Sequence, residues 1–328
     1  VSKSRYDNAE DEENVMPVQL ICCSHSPLMT TGIEESGDGA QARFFRELDS
    51  CAKALHAFDP ELVVVFGPDH FNGFFYELMP AFCIGTAAEG GKDWHLEAGP
   101  LRVPRELALA CVRHLQSRDF DVALSHAMKV DHGITIPLYQ LTGGLARYDV
   151  LPVFINCAAD PRPSFRRVRA FGSAIGEFLA GQDMRMTVVG SGGLSHDPPT
   201  PRIDHGAPAA TARLVNRHTP TQDELDARER RVIAAARELV AGGGPCLPPS
   251  EQWDRDFLQS FLDARLEDFD AMSDAEIDRV AGFGAHEVRT WVAAAAAAQR
   301  MGNPRAALRY YHLVPEWITG MGIVVGQA

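Results

Sequence analysis

The sequence predicts an α/β fold: a central mixed sheet flanked by helices, with a helical carboxy-terminal part. Short apolar runs at Val18 to Cys22, Leu62 to Phe66, Val150 to Ile155 and Met186 to Val189 read as strands covered on both faces. Stretches with apolar residues at three-to-four spacing separate them, the alternation expected of a sheet with helices on both sides. After Pro198-Pro199-Thr200-Pro201 the character changes to polar, helix-forming sequence.

Taken in order, the first strand, Val18 to Cys22, runs into the loop Ser24-His25-Ser26-Pro27. A helix follows from Gln41 to Phe58, with Phe44, Leu48, Cys51, Leu55 and Phe58 on one face, and Pro60 stops it. Leu62 to Phe66 is the clearest buried strand and turns sharply at Gly67-Pro68-Asp69-His70. Pro104 to Ser117 reads as a helix with proline in its first turn. Val122-Ala123-Leu124 is a strand ahead of Asp131-His132-Gly133. Val150 to Ile155 is a strand, Pro163 to Leu179 a helix, and Met186 to Val189 a strand feeding Gly190-Ser191-Gly192-Gly193-Leu194-Ser195-His196. The remainder is predicted mainly helical: Thr221 to Val240, Asp256 to Arg265, Ser273 to Ala281 with Ser273 and Glu276 as a capping box, and Ala285 to Met301. The alanine run Ala293 to Ala298 suits tight helix packing.

Residues 1–15, polar and acidic, are expected to be a disordered leader or cloning remnant, and residues 16–328 a single domain. A net charge of −13 argues against a nucleic-acid surface, and Arg166 to Arg169 and Arg228 to Arg231 read as solvated helix faces. Seven cysteines, with no Cys-x-x-Cys pair, fit neither a disulfide framework nor a structural zinc site. The chain therefore reads as reduced and cytoplasmic. No apolar run is long enough to cross a bilayer, so no membrane partner is expected.

Four histidines sit at or beside the ends of apolar runs: His25, His70, His132 and His196. Strand ends are where an α/β sheet collects its chemistry. Singly, each is more often a hydrogen-bonded structural residue; the repeated placement is what marks them. His56, His114, His126, His205, His218 and His312 lack that context. Asp69 and Asp131 precede two of the four, but adjacent residues on extended chain point to opposite faces. Each is either a turn aspartate or the orienting partner of a histidine from another loop.

Two imidazoles and one carboxylate with open positions form the facial triad of non-haem iron(II) chemistry. Glu287 lies near a helix start, where it either faces a cleft or complements the helix dipole. Other site classes score poorly. Gly190 to Gly193 matches neither the dinucleotide fingerprint nor the P-loop, and Ser191 does not sit in Gly-x-Ser-x-Gly.

Longer stretches carry more information than these motifs: Pro68-Asp69-His70-Phe71-Asn72-Gly73-Phe74-Phe75-Tyr76, Leu151-Pro152-Val153-Phe154-Ile155-Asn156, Gly190 to Pro199, and Tyr310-Tyr311 through Pro315-Glu316-Trp317. In these the sequence resembles the class III extradiol ring-cleavage dioxygenases of the LigB superfamily, over Val18 to Met321. The resemblance implies an Fe(II) site formed by His25, His70 and Glu287, with His132 as proton donor and His196 as base. It also implies O2-dependent cleavage of a 3-substituted catechol, foremost 2,3-dihydroxyphenylpropionate, by an assembly of identical subunits. If the substrate carries a carboxylate, a cationic partner is expected, with Arg289 one candidate. The alternatives are another catechol or an aminophenol as substrate, a metal-dependent hydrolase on the same His, His and Glu residues, and a member without catalysis that serves as a binding subunit.

Overall fold

The computed structural model describes residues 17–33, 39–203 and 208–328. The expected leader and His205 lie outside the described residues. In chain order the elements are β1 (Val18–Cys23), α1 (Ala40–Phe58), β2 (Leu62–Gly67), β3 (Phe82–Gly85), β4 (Ala88–Gly90), β5 (Gly99–Pro100), α2 (Arg105–Ser117), β6 (Ala123–Ser125), β7 (Met128–Val130) and α3 (His132–Thr142). They continue with β8 (Asp149–Ile155), α4 (Phe165–Ala180), β9 (Met186–Ser191), α5 (Pro208–Val215), α6 (Gln222–Val240), α7 (Glu251–Leu262), α8 (Asp274–Val280), α9 (Val288–Arg300), β10 (Ala307–Val314) and β11 (Thr319–Gln327).

Eight strands form one mixed sheet in the order β10-β11-β1-β9-β2-β8-β3-β6, and β5-β4-β7 form a small second sheet. The four central strands, β1, β9, β2 and β8, run parallel. Their side chains alternate between two cores. Leu62, Val64 and Phe66 of β2 face the side that contains α2, α4 and α9, while Val63 and Val65 face the side that contains α1 and α3. Both faces are covered, which is why these strands are apolar throughout.

The alanine run packs as expected. A Cβ at Gly172 or Gly176 of α4 would overlap the Ala293 or Ala297 carbonyl of α9, so small residues on both helices permit backbone contact.

Several expectations need correction. The helix placed at Asp256 to Arg265 starts earlier, at Glu251, because the Ser250 side chain caps it by accepting from the Trp253 amide. Ser273 makes no side-chain cap bond, and Glu276 instead pairs with Arg279. The helix placed at Ala285 to Met301 begins as a 3-10 turn, Phe283–Glu287, before α9. Helix α3 was not expected. The chain after the Pro-rich stretch does hold helices, but it ends in an antiparallel hairpin, β10–β11, that joins the main sheet against β1.

Candidate active site

Strands β1, β9 and β2 are neighbours and parallel, so their carboxyl ends open on one edge of the sheet. His25 follows β1, His70 follows β2, and Ser191 closes β9 ahead of the turn that carries His196. His132 is the first residue of α3, whose amino terminus is capped by the Asp131 side chain accepting from the Gly133 amide. Glu287 ends the 3-10 turn before α9, which packs across β9. The structure thus brings all five predicted site residues together, and each is buried or nearly so.

Each of the four histidines uses Nδ1 on the protein. His25 Nδ1 lies 2.9 Å from Ser191 Oγ, His70 Nδ1 3.1 Å from Asp131 Oδ2, His132 Nδ1 2.6 Å from Asp93 Oδ2, and His196 Nδ1 2.8 Å from the Leu194 carbonyl. A carbonyl or an ionised carboxylate only accepts, so His70, His132 and His196 carry hydrogen on Nδ1. Their Nε2 atoms are left for chemistry. Asp131 is therefore the partner of a histidine from another loop, whereas Asp69 is a turn aspartate accepting from the amides of Asn72, Gly73 and Phe74.

Glu287 is the centre of the cluster. Its Oε1 lies 2.9 Å from His70 Nε2 and 3.4 Å from His196 Nε2; its Oε2 lies 3.6 Å from His25 Nε2 and accepts from the Gly193 amide at 2.9 Å. The glycine-rich turn makes room for this approach. A Cβ at Gly192 would sit 2.7 Å from the Cβ of Glu287, and one at Gly193 would sit 2.7 Å from His196 Cε1. The rings of His70 and His132 stack 4.1 Å apart, and His25 meets both edge-on.

The field here favours a cation. Burial pushes His25 down to about 3, against the pull of Glu287, so its imidazole is neutral. Burial would also depress His70 and His196, but Asp131 with Glu287 outweighs it at His70, and Glu287 outweighs it at His196, so both are raised. Burial would raise Glu287, yet the charge on His196 and the hydrogen bonds from His196 and His70 hold it well below the usual carboxylate range. A lone pair on His70 Nε2 facing an ionised oxygen at 2.9 Å requires a positive charge on or between them. A proton meets that need, and so does a metal ion. His25, His70 and His132 offer ligand atoms within 4.8 Å of one another, as do Asp93, Asp131 and His132. The cluster can hold a metal ion, with two carboxylates, Asp131 and Asp93, orienting the imidazoles from behind.

The cluster forms the floor of a cavity of about 400 Å³ whose walls include Leu28, Trp94, Leu214, Val232, Trp317 and Ile318. Two expectations about arginines fail. Arg228 is not on a solvated face: it donates to Asn72 Oδ1 at 3.2 Å, pairs with Asp93, lies 5.3 Å from the Trp94 ring, and lines the cavity. Arg289 is fully buried and spends its donors on the Pro163 carbonyl, His286 and Asp274, away from the cavity lining, so it is not the partner of a substrate carboxylate. Sequence reading also missed Asp93, Trp94 and Ser191 as parts of the site. No local pattern marks Asp93 or Arg228, since each is defined by a partner 135 residues away.

The profile of the catalytic LigB subunit of aromatic ring-opening dioxygenases matches residues 19–322. This chain belongs to the LigB family. Relatives include 2,3-dihydroxyphenylpropionate/2,3-dihydroxicinnamic acid 1,2-dioxygenases from Cupriavidus pinatubonensis, 46% identical over 305 residues, and Azotobacter vinelandii, 42% identical over 312 residues. The alignments cover 93% of this chain and 96% of the first relative, and 95% and 99% for the second. A third, from Mycolicibacterium gilvum, carries the same name at 46% identity over 310 residues. The resemblance seen in the sequence is thereby established: this LigB-family chain is an aromatic ring-cleavage dioxygenase. The hydrolase and non-catalytic alternatives fall with that assignment. Among the described residues, no helix is long and apolar enough to cross a membrane.

Proposed function

We propose that the chain cleaves 2,3-dihydroxyphenylpropionate beside its diol with O2, using Fe(II) held by His25, His70 and Glu287. The observation that carries this reading is the convergence of three imidazole Nε2 atoms on one buried carboxylate, 2.9 to 3.6 Å away, at the floor of a cavity. Two neutral nitrogen donors and a carboxylate on one side suit ferrous iron and leave positions open for a diol and O2. Bound there, Fe(II) would supply redox access to O2 and draw the two catechol oxygens to it.

The remaining work falls to this chain's own groups. His196, with hydrogen fixed on Nδ1 by the Leu194 carbonyl, presents Nε2 as a base for one catechol hydroxyl proton. His132, held at Nδ1 by Asp93, presents Nε2 as the atom that returns a proton as the ring opens. Asp93 stays ionised because His132 and Arg228 outweigh its burial, which fixes that orientation. The stacked His70 ring keeps His132 beside the ligand set.

We read residues 16–328 as one catalytic domain of a cytoplasmic homo-oligomer; the seven cysteines, all buried and unpaired, are in keeping with a reducing compartment. The test is oxygen uptake by Fe(II)-loaded, anaerobically purified protein across a catechol panel, with a yellow product. His25→Ala is expected to lose iron, and His196→Ala to keep iron and lose turnover. An empty site in His196→Ala would overturn the assigned roles, and no uptake with any catechol would overturn the substrate.

A further inference from the structure

One wall of the cavity is built from α5 and α6. Glu224, Ala227, Arg228, Arg231 and Val232 of α6 all line it, and their three-to-four spacing places them on one helical face. Three guanidinium groups belong to this wall, and their bonding differs. Arg213 pairs with Glu224 at 2.7 Å. Arg228 is committed to Asp93 and Asn72. Arg231, one helical turn beyond Arg228 and itself exposed at the cavity lining, has no hydrogen-bond acceptor and no carboxylate partner among the described residues. Burial, Arg228 and Arg213 all disfavour its charge. The remaining acid on this face, Asp223, lies eight residues earlier, about 12 Å along the helix axis.

The wall therefore carries one uncompensated positive charge with a free planar fork of donors, at the partly exposed side of a cavity whose floor takes the reacting ring. We propose that Arg231 is the anion subsite of this cavity and binds the side-chain carboxylate of the substrate, selecting acidic 3-substituted catechols over neutral ones. This rests on the ring-cleavage reading of the floor. It names the partner of the substrate's tail, the role that Arg289 is too deeply buried to take. A carboxylate meets the guanidinium plane with two parallel hydrogen bonds, which lysine cannot reproduce.

The experiment compares 2,3-dihydroxyphenylpropionate with 3-ethylcatechol, which lacks the carboxylate, on the iron-loaded wild type, Arg231→Gln and Arg231→Lys. Arg230→Gln, a change at the neighbouring exposed position outside the cavity lining, is the control. Arg231→Gln is expected to lower kcat/KM for the acid by about ten- to a hundredfold, through KM, with kcat and the neutral catechol held within about twofold. Arg231→Lys should recover part of the loss, and Arg230→Gln should match the wild type. An unchanged acid-to-neutral ratio in Arg231→Gln would overturn the proposal. Calorimetric binding of 3-phenylpropionate, which keeps the tail and lacks the diol, reads the same contact without turnover. Weakening of about tenfold or more in Arg231→Gln supports the subsite, and equal affinity overturns it. A wild type that consumes no O2 with either catechol sinks the ring-cleavage reading, while calorimetry still judges Arg231.

Discussion

One carboxylate oxygen of Asp131 holds His70 twice, 2.8 Å from its backbone nitrogen and 3.1 Å from its ring Nδ1, and the other oxygen caps α3 at Gly133. The same side chain thus fixes the rotamer of His70 and the start of the helix whose first residue is His132. His70 and His132 hold Asp131 on the ionised side, since the imidazole charges beside it, with the hydrogen bonds from His70 and Asn72, outweigh its burial. Asp131→Ala removes all three contacts and is expected to weaken iron binding by about ten- to a hundredfold, in line with other supporting residues of metal sites. Chelator competition measures it. Wild-type affinity in this variant would show that packing alone orients His70.

Gly192 is a clearance residue, not a flexible one. Its missing Cβ would stand 2.7 Å from both the Cβ and the carbonyl oxygen of Glu287. Gly192→Ala must push the 3-10 turn outward and carry the carboxylate off His25 and His70. Iron content after loading is expected to fall, with far-ultraviolet circular dichroism unchanged. Full iron occupancy would show that the turn yields without moving Glu287.

Gly176→Ala probes packing instead of chemistry. The added methyl would overlap the Ala297 carbonyl, so α4 and α9 must separate along their contact. Overpacking of this kind costs about 1–3 kcal/mol. The expected result is a lowered denaturant midpoint with an unchanged slope and normal iron content in the folded fraction. A midpoint equal to the wild type would mean the helices part freely.

The four histidines were legible because each sits at or beside the end of an apolar run with a glycine, proline or aspartate close by, and β1, β9 and β2 lie side by side as a parallel sheet requires. Glu287 was not, because an acid near a helix start looks the same whether it faces a cleft or only the helix dipole. Arg228 was hidden for a related reason. In Arg228 to Arg231 nothing local separates the residue that reaches Asp93 from Arg230, which lies exposed outside the cavity. Helix α3 was obscured by Pro137, which argues against a helix interior. Strand β10 lacks an apolar run, being a sheet-edge strand with its first three residues exposed.

Asp93 links the cavity wall to the chemistry, accepting from His132 Nδ1 on one oxygen and pairing with Arg228 on the other. Asp93→Asn keeps the shape but replaces the ionised acceptor with an amide. If His132 returns a proton at ring opening, kcat should fall by about ten- to a hundredfold while iron content stays at the wild-type level. Loss of iron in this variant would place His132 among the metal ligands instead.

Asp254 gives the site a pH dependence that is separate from catalysis. It is fully buried behind His196, accepting from the Ser195 amide, the Ser195 hydroxyl and the Tyr311 hydroxyl. Burial raises its carboxyl to about 6 from an ordinary 3.8, because these hydrogen bonds only partly replace water. Between those values the folded chain binds more protons at this position than the unfolded chain does, so its contribution to stability falls as pH rises through that window. At neutral pH the burial of the charge costs about 3 kcal/mol. An asparagine keeps one acceptor for the Ser195 amide, and both hydroxyls can rotate to accept from its amide group. Stability measured in urea from pH 4 to 7 is therefore expected to show Asp254→Asn gaining on the wild type as pH rises, with the difference levelling off above about 6. A difference independent of pH would mean that Asp254 ionises normally in the folded chain, and that its three donors solvate it as well as water does.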